Sequence, residues 1–342
     1  MVHGSHHNVH SQMAGALAAF FGCPLGGSLF ALEVNSRFGI EYFEHTVEAI
    51  LCGEVCLAVF RALARLPIAP IWTLNNGFKL TDAAPLHIAY GVGIGLVGAT
   101  VAAGFAGMHK RVLQGFRSAG LLESHQQAIP RAMVGAAVIL SLGVMFPATL
   151  FWGEYEFQTI ATLGPANDLM HVWPTQGAFG FEMDSFLTAL VVGGAKLVAI
   201  SFTVAGGYRG GFIFPLFTTG AALGRALYFV FPFIPVQLCV LCMAAALNVA
   251  ITRTSIATTL ILAYLSGEQN AVSAILAASL TSICATAYMP FMATQVSRSD
   301  LEASLFRYET DDDEGDDTAS GGTHECTPLA PPDHKIGTSV DV

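Results

Sequence analysis

Nine apolar segments follow one another along the chain, near residues 12–34, 46–66, 86–108, 132–152, 186–205, 212–232, 236–251, 255–266 and 271–293. A helix needs about 20 residues to cross a hydrocarbon core about 30 Å thick, and several of these segments fall short of that. Within lipid every backbone polar group must be satisfied by the protein itself, so spanning segments of this kind are helical. Short hydrophobic segments interrupted by glycine or proline mark discontinuous helices, whose ends meet near the midplane and face a bound ion. A receptor or a simple anchor has no need of them. The chain is therefore expected to be all-α, a polytopic membrane protein with tilted and broken helices. Its composition agrees, with 53% hydrophobic and only 12% charged residues, against about 25% charged in an average soluble domain. The bilayer is its first expected partner; which membrane is not written in the sequence.

The polar residues divide the chain further. Residues 1–11 are polar and rich in histidine, and no secretory signal peptide is visible. His3, His6, His7 and His10 read as a solvated terminus, with metal binding the weaker alternative. Residues 12–307 hold the apolar segments. Residues 308–342 carry most of the excess acid behind the net charge of -10 and read as a disordered cytoplasmic tail. No basic stripe points to nucleic acid. Six of the seven cysteines lie in apolar segments, where a thiol acts as a small hydrophobe. Cys239 and Cys242 form a C-x-x-C without a second pair or a nearby histidine, so neither a metal nor a redox site is expected. No nucleophile–base pair or phosphate loop marks an enzyme, and no cofactor is expected.

Lys110, Arg111, Arg117 and Arg131 lie between the third and fourth segments, and Arg298 and Arg307 follow the last. The positive-inside rule places both regions in the cytoplasm. Residues 153–184 contain no Lys or Arg and are expected on the opposite side, with Trp173 as an interfacial anchor. Every arginine except Arg209 is expected to snorkel or meet headgroups. Glu41, Glu44 and Glu48 share one helical face. Glu48 and Glu54 are expected to lie deeper than the others and are candidates for carrying protons.

The sequence GGYRGGFIFP (206–215) interrupts the most apolar third of the chain. Such a break is tolerated in a membrane only against protein or a wet cavity. A helix that begins there directs unpaired N–H groups and the positive end of its dipole into the cavity, which favours anions. Glycines at 206, 207, 210 and 211 permit tight turning and close approach. Pro215 suits a first helical turn, where an N–H would have no partner. The competing reading is a glycine turn between two packed helices.

The stretch GGYRGGFIFPLFTTGAALGRAL closely resembles the G-x-F-x-P region of the CLC family of voltage-gated chloride channels and chloride/proton antiporters. MAGALAAFFGCPLGGSLFALEV (13–34) is similar to that family's Ala-rich helix, its A-P-L-x-G turn and its L-F-x-x-E segment. AALNVAITRTSIATTLILAYLSG (245–267) resembles its late helices, with Arg253-Thr254-Ser255 where R-x-P is common. The resemblance implies an inverted-repeat fold and transport of chloride or another small anion. Its anion-binding motif corresponds to Gly211, Phe212, Ile213, Phe214 and Pro215, with the backbone amides of Phe212 and Ile213 holding the ion. Arg209 would raise the local anion concentration. The family's pore tyrosine has no firm counterpart here. Tyr288 is the candidate hydroxyl, although alignment on Pro290 places Met292 at that position.

Two further implications follow from the resemblance. The family's G-S-G-I-P and G-x-E-x-P motifs, which precede the Ala-rich helix, are absent, so the N-terminal helices of the fold are expected to be missing. The antiporters' adjacent glutamates become Glu33 and Val34. Valine at the proton-transfer position implies a passive channel. A chloride/proton antiporter and a non-conducting truncated fragment are the alternatives. The family's homodimers imply a homodimer here, with contacts expected through residues 48–63 and 91–104.

Overall fold

The structure is a computed structural model that describes residues 3–36, 40–67, 69–72, 74, 80, 84–122, 127–163, 169, 172, 174, 182–208, 210–287 and 289. For residues 3–10, 35, 36 and 40–44 only the backbone is described. The chain divides into two units, Met1–Phe291 and Met292–Val342. The second unit, with Met292, Arg298, Arg307 and the acidic tail, lies outside the described residues. So do Trp173, Arg209, Tyr288 and Pro290.

Eleven α-helices are described: α1 (His3–Phe21), α2 (Pro24–Ser36), α3 (Ile40–Ala64), α4 (Pro85–Ser118), α5 (Ala128–Met145), α6 (Glu156–Ala161), α7 (Phe186–Ala205), α8 (Ile213–Val230), α9 (Val236–Thr252), α10 (Ser255–Ser266) and α11 (Val272–Ala285). No strand occurs among the described residues. The first apolar segment becomes two helices because Gly22 takes a left-handed φ of 62° and Pro24 opens α2. Proline fits a first turn because its missing N–H costs no bond there.

Helix α9 is hydrophobic all round, and every one of its residues is buried, as such a pattern requires. Lipid is as apolar as leucine, so helices here associate through close packing rather than escape from water. Glycines provide it. Gly220 and Gly224 of α8 lie against the backbone of Ala244 and Cys239 in α9. Gly91 and Gly95 of α4 lie against Ala274 and Ala278 of α11, and Gly98 against Ala246 of α9. Within 91–104, Gly91, Gly95 and Gly98 are thus used inside the chain, while Gly93 and Gly104 border open space and Val92, Leu96 and Val97 are exposed. Small residues mark a close approach but do not say whether the neighbour belongs to the same chain.

The helical geometry extends two readings and corrects two expectations. The segment 109–118, between the third and fourth apolar segments, forms the last turns of α4, which runs past its apolar part. Backbone of the His-rich terminus is helical from His3 onward. On α3, Ala49 and Leu57 are buried, as is Gly53, one helical turn apart. Glu48 and Glu54 lie on the opposite, exposed face, where Glu48 pairs with His45 at 3.5 Å. Finally, Arg225 and Arg253 do not snorkel. Arg225 is buried, donates its Nε to the Met183 carbonyl at 3.3 Å and lies 5.1 Å from the Phe229 ring centre.

Candidate functional site

Helix α7 begins at an N-cap serine, where Ser185 Oγ accepts from the Thr188 N–H at 3.2 Å. It ends in the glycine break. The Tyr208 N–H reaches the Thr203 carbonyl at 3.1 Å and the Gly207 N–H reaches Val204 at 3.0 Å, the paired bonds of a Schellman cap. Gly207 has φ +85°, and a side chain there would also collide with the guanidinium of Arg131. The Tyr208 hydroxyl donates to the Ala132 carbonyl of α5 at 2.9 Å. The break is thus tied to α5 by this hydrogen bond, with the Arg131 side chain beside Gly207.

Helix α8 opens without a side-chain cap, with Phe212 as its N-cap residue. Its first intrahelical bond runs from the Leu216 N–H to the Phe212 carbonyl at 3.0 Å. The N–H groups of Phe212, Ile213 and Phe214 precede that bond, and Pro215 has none. The ring of Phe214 anchors this end. It packs against Phe21 at 5.7 Å, Phe217 at 6.0 Å and Trp72 at 6.4 Å. Side chains added at Gly210 or Gly211 would meet open space.

That space belongs to a cavity of about 380 Å³ lined by Gly210, Gly211, Phe212, Pro215, Tyr208, Trp152 and Lys196, among others. Lys196 is the residue that sequence reasoning missed. It is 3% exposed and donates to three successive carbonyls, Thr149 at 2.8 Å, Leu150 at 3.3 Å and Phe151 at 2.7 Å. The available signal was a single charge inside the apolar run 186–205. Thr218 holds the neighbouring turn to α8 by donating to the Gly153 carbonyl at 2.8 Å.

Glu33 is 2% exposed, and its Oε1 accepts from the Ala257 N–H in the first turn of α10 at 3.1 Å. Its Oε2 is buried without a hydrogen-bond partner. Thr254, the N-cap residue of α10, makes no cap bond with its side chain, so the carboxyl of Glu33 takes that place. Val34, next in sequence, is 37% exposed. Arg253 adopts φ +63° and donates to the Thr286 hydroxyl at 2.9 Å, the Thr286 carbonyl and the Met289 carbonyl at 3.0 Å. It closes the C-terminal end of α11. Cys239 and Cys242 are buried free thiols. Among the described residues no cluster of His, Cys, Asp and Glu forms that could hold a metal.

The fold thus holds an uncapped, glycine-led helix start beside a half-open cavity and, separately, a carboxyl-capped break between α9 and α10. Residues 7–287 match the family described as voltage gated chloride channel. The chain belongs to this CLC family. It is accordingly an integral, multi-pass membrane protein.

The helical arrangement is similar to that of a CLC-type fluoride/proton antiporter, with a TM-score of 0.60 and 22% identity over 81% of this chain and 62% of that one. A slow cyanobacterial Cl-/H+ antiporter gives a TM-score of 0.53 and 14% identity, over 89% of this chain and 71% of the other. At these identities the likeness is one of fold. Among curated proteins, YfeO of Escherichia coli O17:K52:H18, provisionally named as an ion-transport protein, is 27% identical over 248 residues. Its counterpart in Shigella boydii serotype 18 is 25% identical over 246 residues. The chain spans about half the length of these relatives, 51% in each case.

Proposed function

We propose that the protein takes part in moving small anions across a membrane, with the first turn of α8 as an anion contact. The supporting observation is the uncapped helix start, where Phe212 lines a cavity and the N–H groups of Phe212 and Ile213 lie at the positive end of the helix dipole, which favours negative charge. Gly211, Phe214 and Pro215 serve that contact by leaving room, anchoring the helix end and needing no N–H partner. Arg209 and Tyr288 remain proposed contributors.

Exchange of anions against protons is the reading that the solved relatives favour, both being antiporters by description. Passive conduction is the second reading, favoured by Val34 at the place where the family's antiporters carry the second glutamate. The deciding measurement is anion flux by the full chain in liposomes, with the reversal potential followed across a pH gradient. A potential that shifts with pH supports exchange, and one fixed at the anion potential supports conduction. No flux at all leaves the non-conducting reading.

A homodimer is proposed on the family pattern. The exposed apolar residues Leu51, Val55 and Val59 of α3 are the contact to test by crosslinking through the exposed Cys52. A chain that stays monomeric and uncrosslinked in detergent would remove the dimer.

A further inference from the structure

We propose that Lys196 determines the anion preference of the cavity at the α8 start. The inference rests on the transport reading, and it adds the side chain that sets the sign of the ion admitted. Four observations carry it.

Lys196 lines the same cavity as Gly210, Gly211 and Phe212. Its ammonium is almost wholly buried. All three of its donors are committed to neutral carbonyls of residues 149–151. Glu156 is the acid whose charge reaches it, but that carboxylate accepts from the Val172 N–H at 2.9 Å, and no ion pair joins the two among the described residues. Buried charges are ordinarily paired with opposite charge. Here the partners are dipoles, which hold the ammonium in place without cancelling its charge.

The field of Lys196 therefore extends into the cavity. It adds to the positive end of α8 and repels cations from the same space. Because the three donors are occupied, Lys196 acts through its charge rather than as a ligand. The hydrogen bonds to the ion come instead from the backbone N–H groups at the α8 start, where Phe212 lines the same cavity. The two tasks are separable by substitution. Arginine keeps the charge and the donors, and glutamine keeps donors without charge.

Trp152 also lines the cavity and provides the readout. In a background with Trp72 and Trp173 replaced by phenylalanine, Trp152 is the remaining tryptophan of the three in the chain. Its quenching by iodide reports anion entry, and quenching by neutral acrylamide reports exposure. Lys196→Gln should lower iodide quenching on the order of tenfold, the scale of one charge acting through a partly screened interior. Acrylamide quenching should stay within twofold, and Lys196→Arg should retain the iodide response. The difference should persist at raised ionic strength, because buried charges are screened less than exposed ones.

Equal iodide quenching in Lys196→Gln and the parent overturns the proposal. So does a parallel loss of both quenchers, which would mean that the cavity has only changed shape. If Lys196→Gln does not fold, Lys196→Arg against the parent, with caesium as a cationic quencher, decides. Rejection of caesium with acceptance of iodide by both proteins upholds the assignment, and equal response to the two ions ends it. Iodide entry that depends on Lys196 without flux in liposomes would remove the transport reading and leave this assignment standing.

Discussion

The phenol of Tyr208 donates to the carbonyl of Ala132 at 2.9 Å, and this bond ties the glycine break to the first turns of α5. Tyr208→Phe removes the donor and keeps the ring. A single neutral hydrogen bond contributes about 0.5–1.5 kcal/mol net. Thermal unfolding in detergent should therefore move down by a few degrees, with anion flux reduced as the break loosens. Unchanged melting and flux would show that the bond is incidental.

The glycines of the break should separate into two kinds. Gly207→Ala forces a side chain into a left-handed φ and against Arg131, so the fold should lose about 1–3 kcal/mol. Gly211→Val meets only open space, so stability should be nearly unchanged. Flux should nevertheless fall, because valine occupies the room beside the free N–H groups. Flux at the parent level in Gly211→Val would place the anion elsewhere.

Glu33 caps a helix that lies far along the chain. Glu33→Ala removes the acceptor for the Ala257 N–H and should cost about 0.5–2 kcal/mol, the range for losing an N-cap. Glu33→Gln retains an acceptor oxygen and should recover most of that stability. If protons are exchanged through this carboxyl, Glu33→Gln should abolish the pH-dependent part of the reversal potential while anion flux continues. A pH response identical to the parent would confine Glu33 to its capping role.

Much of this was legible in the sequence, and the exceptions have physical causes. The ends of α7 and α10 coincide with the ends of the apolar runs 186–205 and 255–266, because caps and breaks sit where apolarity stops. Helix α4 overran its apolar segment because Lys, Arg, Gln and Leu are good helix formers with or without lipid. The short α6 was missed, since EFQTIA is neither long nor periodic. Gly211–Pro215 stood out through its glycine and proline and through its likeness to the G-x-F-x-P motif. Lys196 did not, because its acceptors lie 45–47 residues earlier in a turn with no distinctive pattern. Nor could helical spacing assign Glu48 and Glu54 to a face before the positions of Ala49 and Leu57 were known.

Acid should affect stability through Glu154, which lies in the turn outside the spanning helices. Burial raises its carboxyl above the ordinary value, the hydrogen bond from Trp152 opposes this, and the charge of Glu156 adds to it. A carboxyl raised in the folded state favours folding most below its unfolded value, near 4.5. That contribution is lost as pH rises through the folded value. Melting temperature should thus decline across the window immediately above pH 4.5, and Glu154→Gln should flatten that part of the curve. The same slope in the variant would assign it to other groups.

The bond between Glu33 and Ala257 also sets a schedule for biogenesis. Its two ends are 224 residues apart, and ribosomes add about 5–20 residues per second, so α2 reaches the bilayer about 10–45 s before its partner has been synthesised. During that interval a carboxyl destined for the interior has no helix start to receive it, and a carboxyl at the bilayer centre is costly. Helix α2 is then expected to stay near the headgroups or beside the insertion machinery until α10 emerges. This contact therefore closes late, once α10 has emerged, and nascent chains stalled before residue 257 should remain accessible to aqueous reagents at the α2 end.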